Sequence, residues 1–205
     1  MNEIRGIIFD LGRVLIDIDL NRGLMNRYSN GRNLSDLENL RILYNDPFFL
    51  EYETGKKTSR QFYEYLNSKI NNKIDYNTFL TEWNNIFNVN PQIQLLFEKL
   101  SQKYPVGILS DIDALHWHYI KENYSFIKKV KNPTLSYKTG FLKPHPACYK
   151  IAAQNIGVPV NQCLFIDDLE KNVKGAIDAG MTAFQFSNYE NLISDLKRLG
   201  ILNGF

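Results

Sequence analysis

Four short stretches carry side chains that could do chemistry together. Asp10 follows the apolar run Ile7-Ile8-Phe9, and Gly12 comes two residues later. A carboxylate at the end of a buried strand is costly unless donors or a cation neutralise it. Gly12 permits a tight turn beside it. An aspartate so placed can act as a nucleophile that accepts a phosphoryl group, although loop and helix-cap aspartates share the same local pattern. Ser110 and Asp111 follow Val106-Gly107-Ile108-Leu109. The Ser110 hydroxyl and the amides after it could hold phosphate oxygens, or the pair could simply cap a helix. Lys143 lies between a glycine-containing loop and Pro146, which opens a helix at its first position. Its fixed backbone suits a lysine that neutralises a phosphate; a solvated surface lysine is the plain alternative. His145, between two prolines, faces either the cleft or solvent. Last come Asp167 and Asp168 after Cys163-Leu164-Phe165-Ile166, with Asn172 beyond. Adjacent carboxylates repel unless a cation neutralises them, and Mg²⁺ favours oxygen ligands of this kind.

The elements that must position these groups are legible from periodicity. The three apolar runs do not alternate with polar residues, which suits strands buried on both faces; Ala183–Phe186 is a weaker fourth. Each of the first three ends in polar residues, and in parallel sheets the ligand crevice lies beyond the carboxyl ends of the strands. Helices are expected between them. Residues 91–103 place Ile93, Leu96, Phe97 and Leu100 on one face; another helix runs from Pro146 to Gly157. A third follows Asp168 with Val173, Ala176 and Ile177 inward, and a last one, about 190–199, carries Leu192, Ile193, Leu196 and Leu199 up to Gly200. Strand–helix alternation implies a doubly wound parallel α/β sheet.

Residues 18–89 break this rhythm. They offer helix starts at Ser35–Glu38, Thr58–Gln61 and Asp75, and no convincing buried strand. The expected organisation is an α/β core of residues 1–17 and 90–205 with a helical cap at 18–89, hinged near 16–19 and 88–91.

Bulk composition narrows the function. Hydrophobic residues make up 44% of the 205, enough for a real core. The 24 basic and 22 acidic residues are spread along the chain, which argues against nucleic acid as a partner. The N-terminal apolar stretch breaks at Asp10, too early for a signal peptide or membrane span. Cys148 and Cys163 stand alone, as two buried thiols of a reducing compartment would. The reading is a cytoplasmic protein whose partner is a small phosphorylated metabolite; monomer or homodimer is left open.

In combination the motifs resemble the haloacid dehalogenase superfamily. FDLGRVLID, ILSD, Lys143-Pro144-His145-Pro146 and FIDDLEKNVKGAIDAGM match its four motifs in order, across nearly the whole chain. The stretches GKKTSRQFYEYL and FLTEWNNIF look like the helical cap of the FDLGxV branch, which includes bacterial phosphatases acting on sugar phosphates such as glucose 1-phosphate. The resemblance implies an Mg²⁺-dependent phosphatase with Asp10 as nucleophile, passing through an aspartyl phosphate. It implies that Asp10, the Gly12 carbonyl and Asp168 hold the metal, with Asp167 acting through metal waters. It assigns Ser110, Asp111 and Lys143 to substrate.

One position departs from the pattern. Most phosphatases of this family carry a second Asp two residues after the nucleophile, as general acid and base; here that residue is Gly12. Such help is worth about 10²–10⁴-fold. An activated leaving group, a substitute among Arg13, His145, Asp111 or a cap residue, or a protein that binds phosphorylated ligands without turnover would each account for the loss. Arg13 points either to the cleft or, the favoured reading, to solvent. The absence of the second Asp also argues against a phosphomutase. His116 and His118 do not share a helix face and are assigned no metal. Phe79, Trp83 and Phe87 are read as cap core, and Asp17 and Asp19 as capping or surface residues.

Overall fold

The computed structural model describes residues 3–24, 45–70 and 73–202. In chain order, β1 (Gly6–Phe9) and β2 (Ile16–Ile18) precede helices α1 (Pro47–Glu53), α2 (Ser59–Lys69) and α3 (Tyr76–Asn84). Then come β3 (Phe87–Val89), α4 (Pro91–Ser101), β4 (Val106–Ser110), α5 (Ala114–Asn123), β5 (Thr134–Leu135) and α6 (Ser136–Thr139). The chain continues through α7 (Pro146–Ile156), β6 (Cys163–Asp167), α8 (Glu170–Asp178), β7 (Thr182–Gln185) and α9 (Tyr189–Arg198).

Five strands form one sheet in the order β5-β4-β1-β6-β7, every pair parallel. The chain winds outward from β1 to β4 and β5, then returns to β6 and β7 on the other side. The reversal falls at β1, so the crevice of this doubly wound sheet opens where β1 ends, at Asp10. Alternate strand residues feed two layers. Ile7, Phe9, Ile108, Leu164 and Ile166 pack with α4, α5 and α9, while Ile8, Leu109 and Phe165 pack with α7 and α8. Both faces are buried, which is why these strands read as unbroken apolar runs. Cys148 and Cys163 are buried and unpaired.

The fourth strand lies one residue earlier than its pattern suggested. The two-residue β5 was not expected, because so short an element carries no periodicity. Ile177 was expected inward and is instead 53% exposed. The inward face of α8 is set by Asn172 and Ala176, a turn apart, and Ile177 falls about 100° from Ala176.

Between β2 and β3 the described residues are helical. Thr58 caps α2 in a full capping box with Gln61, and Asp75 caps α3. Their apolar faces, with Phe49 and Tyr52 of α1, form an aromatic-rich cluster separate from the two beside the sheet. Phe62 stacks on Tyr52 (4.2 Å between centroids) and meets Trp83 edge-on at 5.0 Å. Helix α3 stops at Asn84, so Phe87 leaves the helical pattern and enters β3. β2 and β3 pair antiparallel, Ile16 with Val89 and Ile18 with Phe87, at the two ends of the helical segment. The expected capping box at Ser35–Glu38 lies outside the described residues. No helix among the described residues is long and apolar enough to cross a membrane.

Candidate active site

Three strands deliver their ends to one crevice. Asp10 leaves β1, Ser110 is the last residue of β4 and Asp167 the last of β6. The Asp10 backbone N–H donates to the Ile166 carbonyl (2.8 Å), so the chain is still held by the sheet as the carboxylate emerges. The Asp10 side chain accepts from the Leu11 N–H at 2.7 Å, and the residue is only 8% exposed.

Lys143 comes from the loop between α6 and α7, and its ammonium is the cationic centre of the crevice. Nζ lies 2.7 Å from Asp10 Oδ1 and 2.7 Å from Asp167 Oδ2. Its position is built from several directions. The Lys143 N–H donates to both oxygens of Asp111, at 3.0 and 3.2 Å. The following peptide, to Pro144, is cis. Gly175 of α8 lets that helix close on the loop, since a Cβ there would sit 2.5 Å from Pro144 Cβ. Next to Asp111, Ser136 Oγ receives the Ile112 N–H and donates to the Ile112 carbonyl, tying the turn after β4 to α6.

The acidic pair divides its work. Asp167 is buried and surrounded by donors: the Leu169 N–H at 2.8 Å, Asn172 Nδ2 at 3.0 and 3.1 Å, and Lys143. Asp168 reaches the cleft, on the same wall as Asp10, Gly12, Arg13, Ser110 and Lys143. Oxygens of Asp10, Asp167 and Asp168 all lie within 4.8 Å of one another, a hard-oxygen donor set suited to a divalent cation. Because Asp167 is already satisfied, Asp10 and Asp168 are the members with oxygen to offer.

The electrostatics follow from burial. Desolvation pushes the Asp10 carboxyl up to about 8 against the attraction of Lys143, and Asp167 adds to the rise. Burial, then repulsion from Asp167, also raises Asp168, while Lys143 and, less, Arg13 pull it back. Desolvation disfavours the Lys143 ammonium, but Asp10, Asp167 and Asp111 overcome it and hold the lysine firmly protonated. A cation placed between Asp10 and Asp168 would relieve the same repulsion, so the residues present fit one.

Other expected residues fall as follows. Ser110 is buried, and its hydroxyl makes a long contact, 3.5 Å, with the Asp111 carbonyl. The carboxylate of Asp111 is used on the Lys143 backbone. His145 is exposed, caps α7 through Nδ1 and stacks on Phe141. Arg13 does not point to solvent: it is half-buried with φ 60° and lines the cleft near Asp168. Asp19 caps its own turn and pairs with Arg22.

Sequence reasoning missed a second layer. The crevice opens through Gly12, Ser110 and Asp111 into a cavity of about 100 Å³, walled mostly by apolar side chains such as Ile18, Trp83 and Ile86. Glu53 of α1 and His116 of α5 also line it. Beneath, Asp113 is fully buried and accepts from Tyr52 Oη (3.0 Å), Trp83 Nε1 (3.2 Å), the Leu115 and His116 N–H groups, and His116 Nδ1 (2.8 Å). His116 stacks flat on Trp83 at 4.6 Å, and its Nε2 faces the Trp83 carbonyl. Both ring nitrogens lie within hydrogen-bond distance of oxygens. The signal for Glu53 was present: Phe49, Tyr52 and Glu53 fall at i, i+3 and i+4 after the Asp46-Pro47 helix start, placing a carboxyl on an apolar stripe.

The family model described as haloacid dehalogenase-like hydrolase matches residues 4–180. D-ribitol-5-phosphate phosphatase of Bacteroides thetaiotaomicron is 26% identical over 193 residues, 90% of this chain and 93% of that protein. Flavin mononucleotide hydrolase 1 of Arabidopsis thaliana is 44% identical over 62 residues, 30% of this chain and only 25% of that protein. A family enzyme from Bacteroides thetaiotaomicron, solved with magnesium and inorganic phosphate, superposes with a TM-score of 0.77 at 24% identity, covering 92% of this chain and 98% of that one. At that identity the structural likeness concerns the fold.

Proposed function

Because the chain belongs to the haloacid dehalogenase-like hydrolase family, we propose that it is an Mg²⁺-dependent phosphatase that hydrolyses a small phosphomonoester with Asp10 as nucleophile. The observation that carries this reading is the Asp10–Lys143–Asp167 cluster, two 2.7 Å ion pairs at the end of the central strand, with Asp168 alongside.

Asp10, Asp168 and the Gly12 carbonyl would hold Mg²⁺, which supplies positive charge that favours an ionised Asp10 and offsets its repulsion from a phosphate. An Asp10 oxygen attacks phosphorus in line. The ester P–O bond breaks and its electron pair leaves on the ester oxygen, producing an aspartyl phosphate. Lys143 and Ser110 bind the phosphoryl oxygens, so charge building on them meets a fixed ammonium and a fixed hydroxyl. Water then attacks phosphorus, the P–O bond to Asp10 breaks, and inorganic phosphate departs. In this scheme Asp167 chiefly orients Lys143 and Asn172. Asp111 holds the Lys143 backbone and presents its own main chain to substrate.

We assign residues 18–89 to a cap over a core of residues 1–17 and 90–205. The separate aromatic cluster and the β2–β3 ribbon at the two crossings support that division. The substrate reading is a compact sugar or polyol phosphate, supported by the D-ribitol-5-phosphate phosphatase relative, whose match runs nearly end to end.

Phosphate release from D-ribitol 5-phosphate and from an aryl phosphate, with Mg²⁺ or with EDTA, tests the reading. Release that needs Mg²⁺ is expected from both. Aryl turnover with every sugar and polyol phosphate ignored would overturn the substrate class. No release from either by folded protein would leave a phosphate-binding protein without turnover.

A further inference from the structure

We propose that Glu53 is the general acid and base of the reaction, supplying from α1 the carboxyl that position 12 lacks. The proposal rests on the phosphatase reading above and adds a catalytic residue to it.

Three observations carry it. Position 12 carries no side chain, and a Cβ there would meet the end of the Ile18 side chain, 2.7 Å from Cδ1. The space beside the nucleophile that an acid could enter from is therefore the cavity leading off Gly12, Ser110 and Asp111. Glu53 stands on its wall. Glu53 is 4% exposed, and its Oε2 is buried without a hydrogen-bond partner. A buried carboxyl oxygen left unsatisfied costs stability. Such a cost is expected where a group is held ready for a partner that arrives with substrate.

The other candidates are occupied or unsuited. Arg13 offers a guanidinium, which donates hydrogen bonds but has no acceptor with which to take a proton from water. His145 is exposed and caps α7. Asp111 accepts from the Lys143 N–H, and Asp113 is saturated by its five donors. The charges that face Glu53 come from several elements: Asp111 and Asp113 from the turn after β4, Lys143 from the loop before α7, and Lys171 from α8. Arg13, Glu82 and His116 share its cavity. Burial first, then Asp111 and Asp113, push the Glu53 carboxyl well above the ordinary range, with Lys143 and Lys171 pulling back. A carboxyl that holds its proton more tightly than usual suits an acid.

The steps balance as follows. As Asp10 bonds to phosphorus and the ester P–O bond breaks, the leaving oxygen takes the pair and the Glu53 proton; an alcohol departs and Glu53 is left as a carboxylate. In the second half, that carboxylate takes a proton from the water attacking the aspartyl phosphate. The P–O bond to Asp10 breaks with its pair returning to Asp10, and Glu53 is protonated again.

The test varies the leaving group. Values of kcat/KM are measured for wild type and Glu53→Gln on an alkyl phosphate and on dinitrophenyl phosphate, whose phenolate leaves without a proton. The expected result is a loss of about 10²–10⁴-fold on the alkyl ester and a nearly unchanged value on the dinitrophenyl ester. Equal losses on both, or none on either, would overturn the proposal while leaving the phosphatase reading intact. A wild type that hydrolyses neither ester would overturn both. A second measurement needs no variant. In wild type, an alkaline fall in kcat/KM from Glu53 ionisation should appear with the alkyl ester and be absent with the dinitrophenyl ester. Superimposable profiles would contradict the assignment.

Discussion

Asp113 and Glu53 are two buried carboxyl groups close enough to feel each other's charge, and their surroundings are opposite. Asp113 gathers donors from α1, α3 and its own helix α5, and is completely enclosed. Burial pushes its carboxyl up, yet the charge and hydrogen bond of His116, with the other donors, hold it below the usual range. Glu53 has an oxygen with no donor, and burial raises it well above that range. A carboxylate that is fully paired joins parts of a structure; one left unpaired beside a cavity is a group with unused capacity. The contrast separates what fastens the helical segment to the sheet from what is offered to a substrate.

The comparison can be broken at several points. The largest effect on stability should come from Asp113→Ala, which strands Tyr52, Trp83, His116 and two N–H groups. Removing one side of a buried charged network costs about 3–5 kcal/mol, to be read as a fall in the urea midpoint. A loss within about 0.5 kcal/mol, the range of ordinary surface substitutions, would mean the network does not fasten the segment.

Next is Tyr52→Phe, which deletes the hydrogen bond to the charged carboxylate and the 3.2 Å contact with Ser59 Oγ while keeping the stacked ring. Bonds to charged groups are worth about 1.5–3 kcal/mol, so the denaturation midpoint should drop by less than for Asp113→Ala. A double-mutant cycle between the two should be strongly non-additive.

The pH dependence differs in sign between the two carboxyls. The Asp113 carboxyl is lowered on folding, so the stability it contributes is present in full above the unfolded value of about 3.9 and is lost as pH falls through the folded value below it. The Glu53 carboxyl is raised on folding, so it favours the native state below the unfolded value of about 4.3 and weakens it as pH rises toward the folded value. Glu53→Gln should therefore leave stability unchanged in acid and raise it slightly at neutral pH. A destabilised Glu53→Gln at neutral pH would show that the carboxylate is paired after all.

How much of this was readable beforehand depends on sequence separation. The strand runs ending in Asp10, Ser110 and Asp167 could be read because each is a continuous local pattern, and parallel winding then brings their ends to one edge. Lys143 could be placed because Pro144 and Pro146 fix its backbone locally. The resemblance gave Asp168 to the metal and Asp167 to its waters; that Lys143 and Asn172 occupy the Asp167 carboxylate could not be read, because Lys143 reaches it across 24 residues of sequence. The Asp113 network was hidden for a different reason: Tyr52 and Trp83 reach it across 61 and 30 residues of sequence. His116 was set aside as a metal ligand, with reason, but its role lies in packing and pairing that no helical wheel displays. Ile177 looks apolar and inward on a wheel, yet α8 turns Asn172 toward the site and leaves that side chain outside.

The central claim is that Asp10 takes the phosphoryl group. The most direct measurement is an acid-quenched single turnover of Mg²⁺-loaded enzyme with an aryl phosphate, followed by mass spectrometry of the peptide that contains position 10. The account predicts a transient phosphoryl adduct on Asp10, absent from Asp10→Asn, whose turnover should fall by at least about 10³-fold. Steady turnover with no adduct on that peptide, or an Asp10→Asn protein that still releases phosphate, would contradict it.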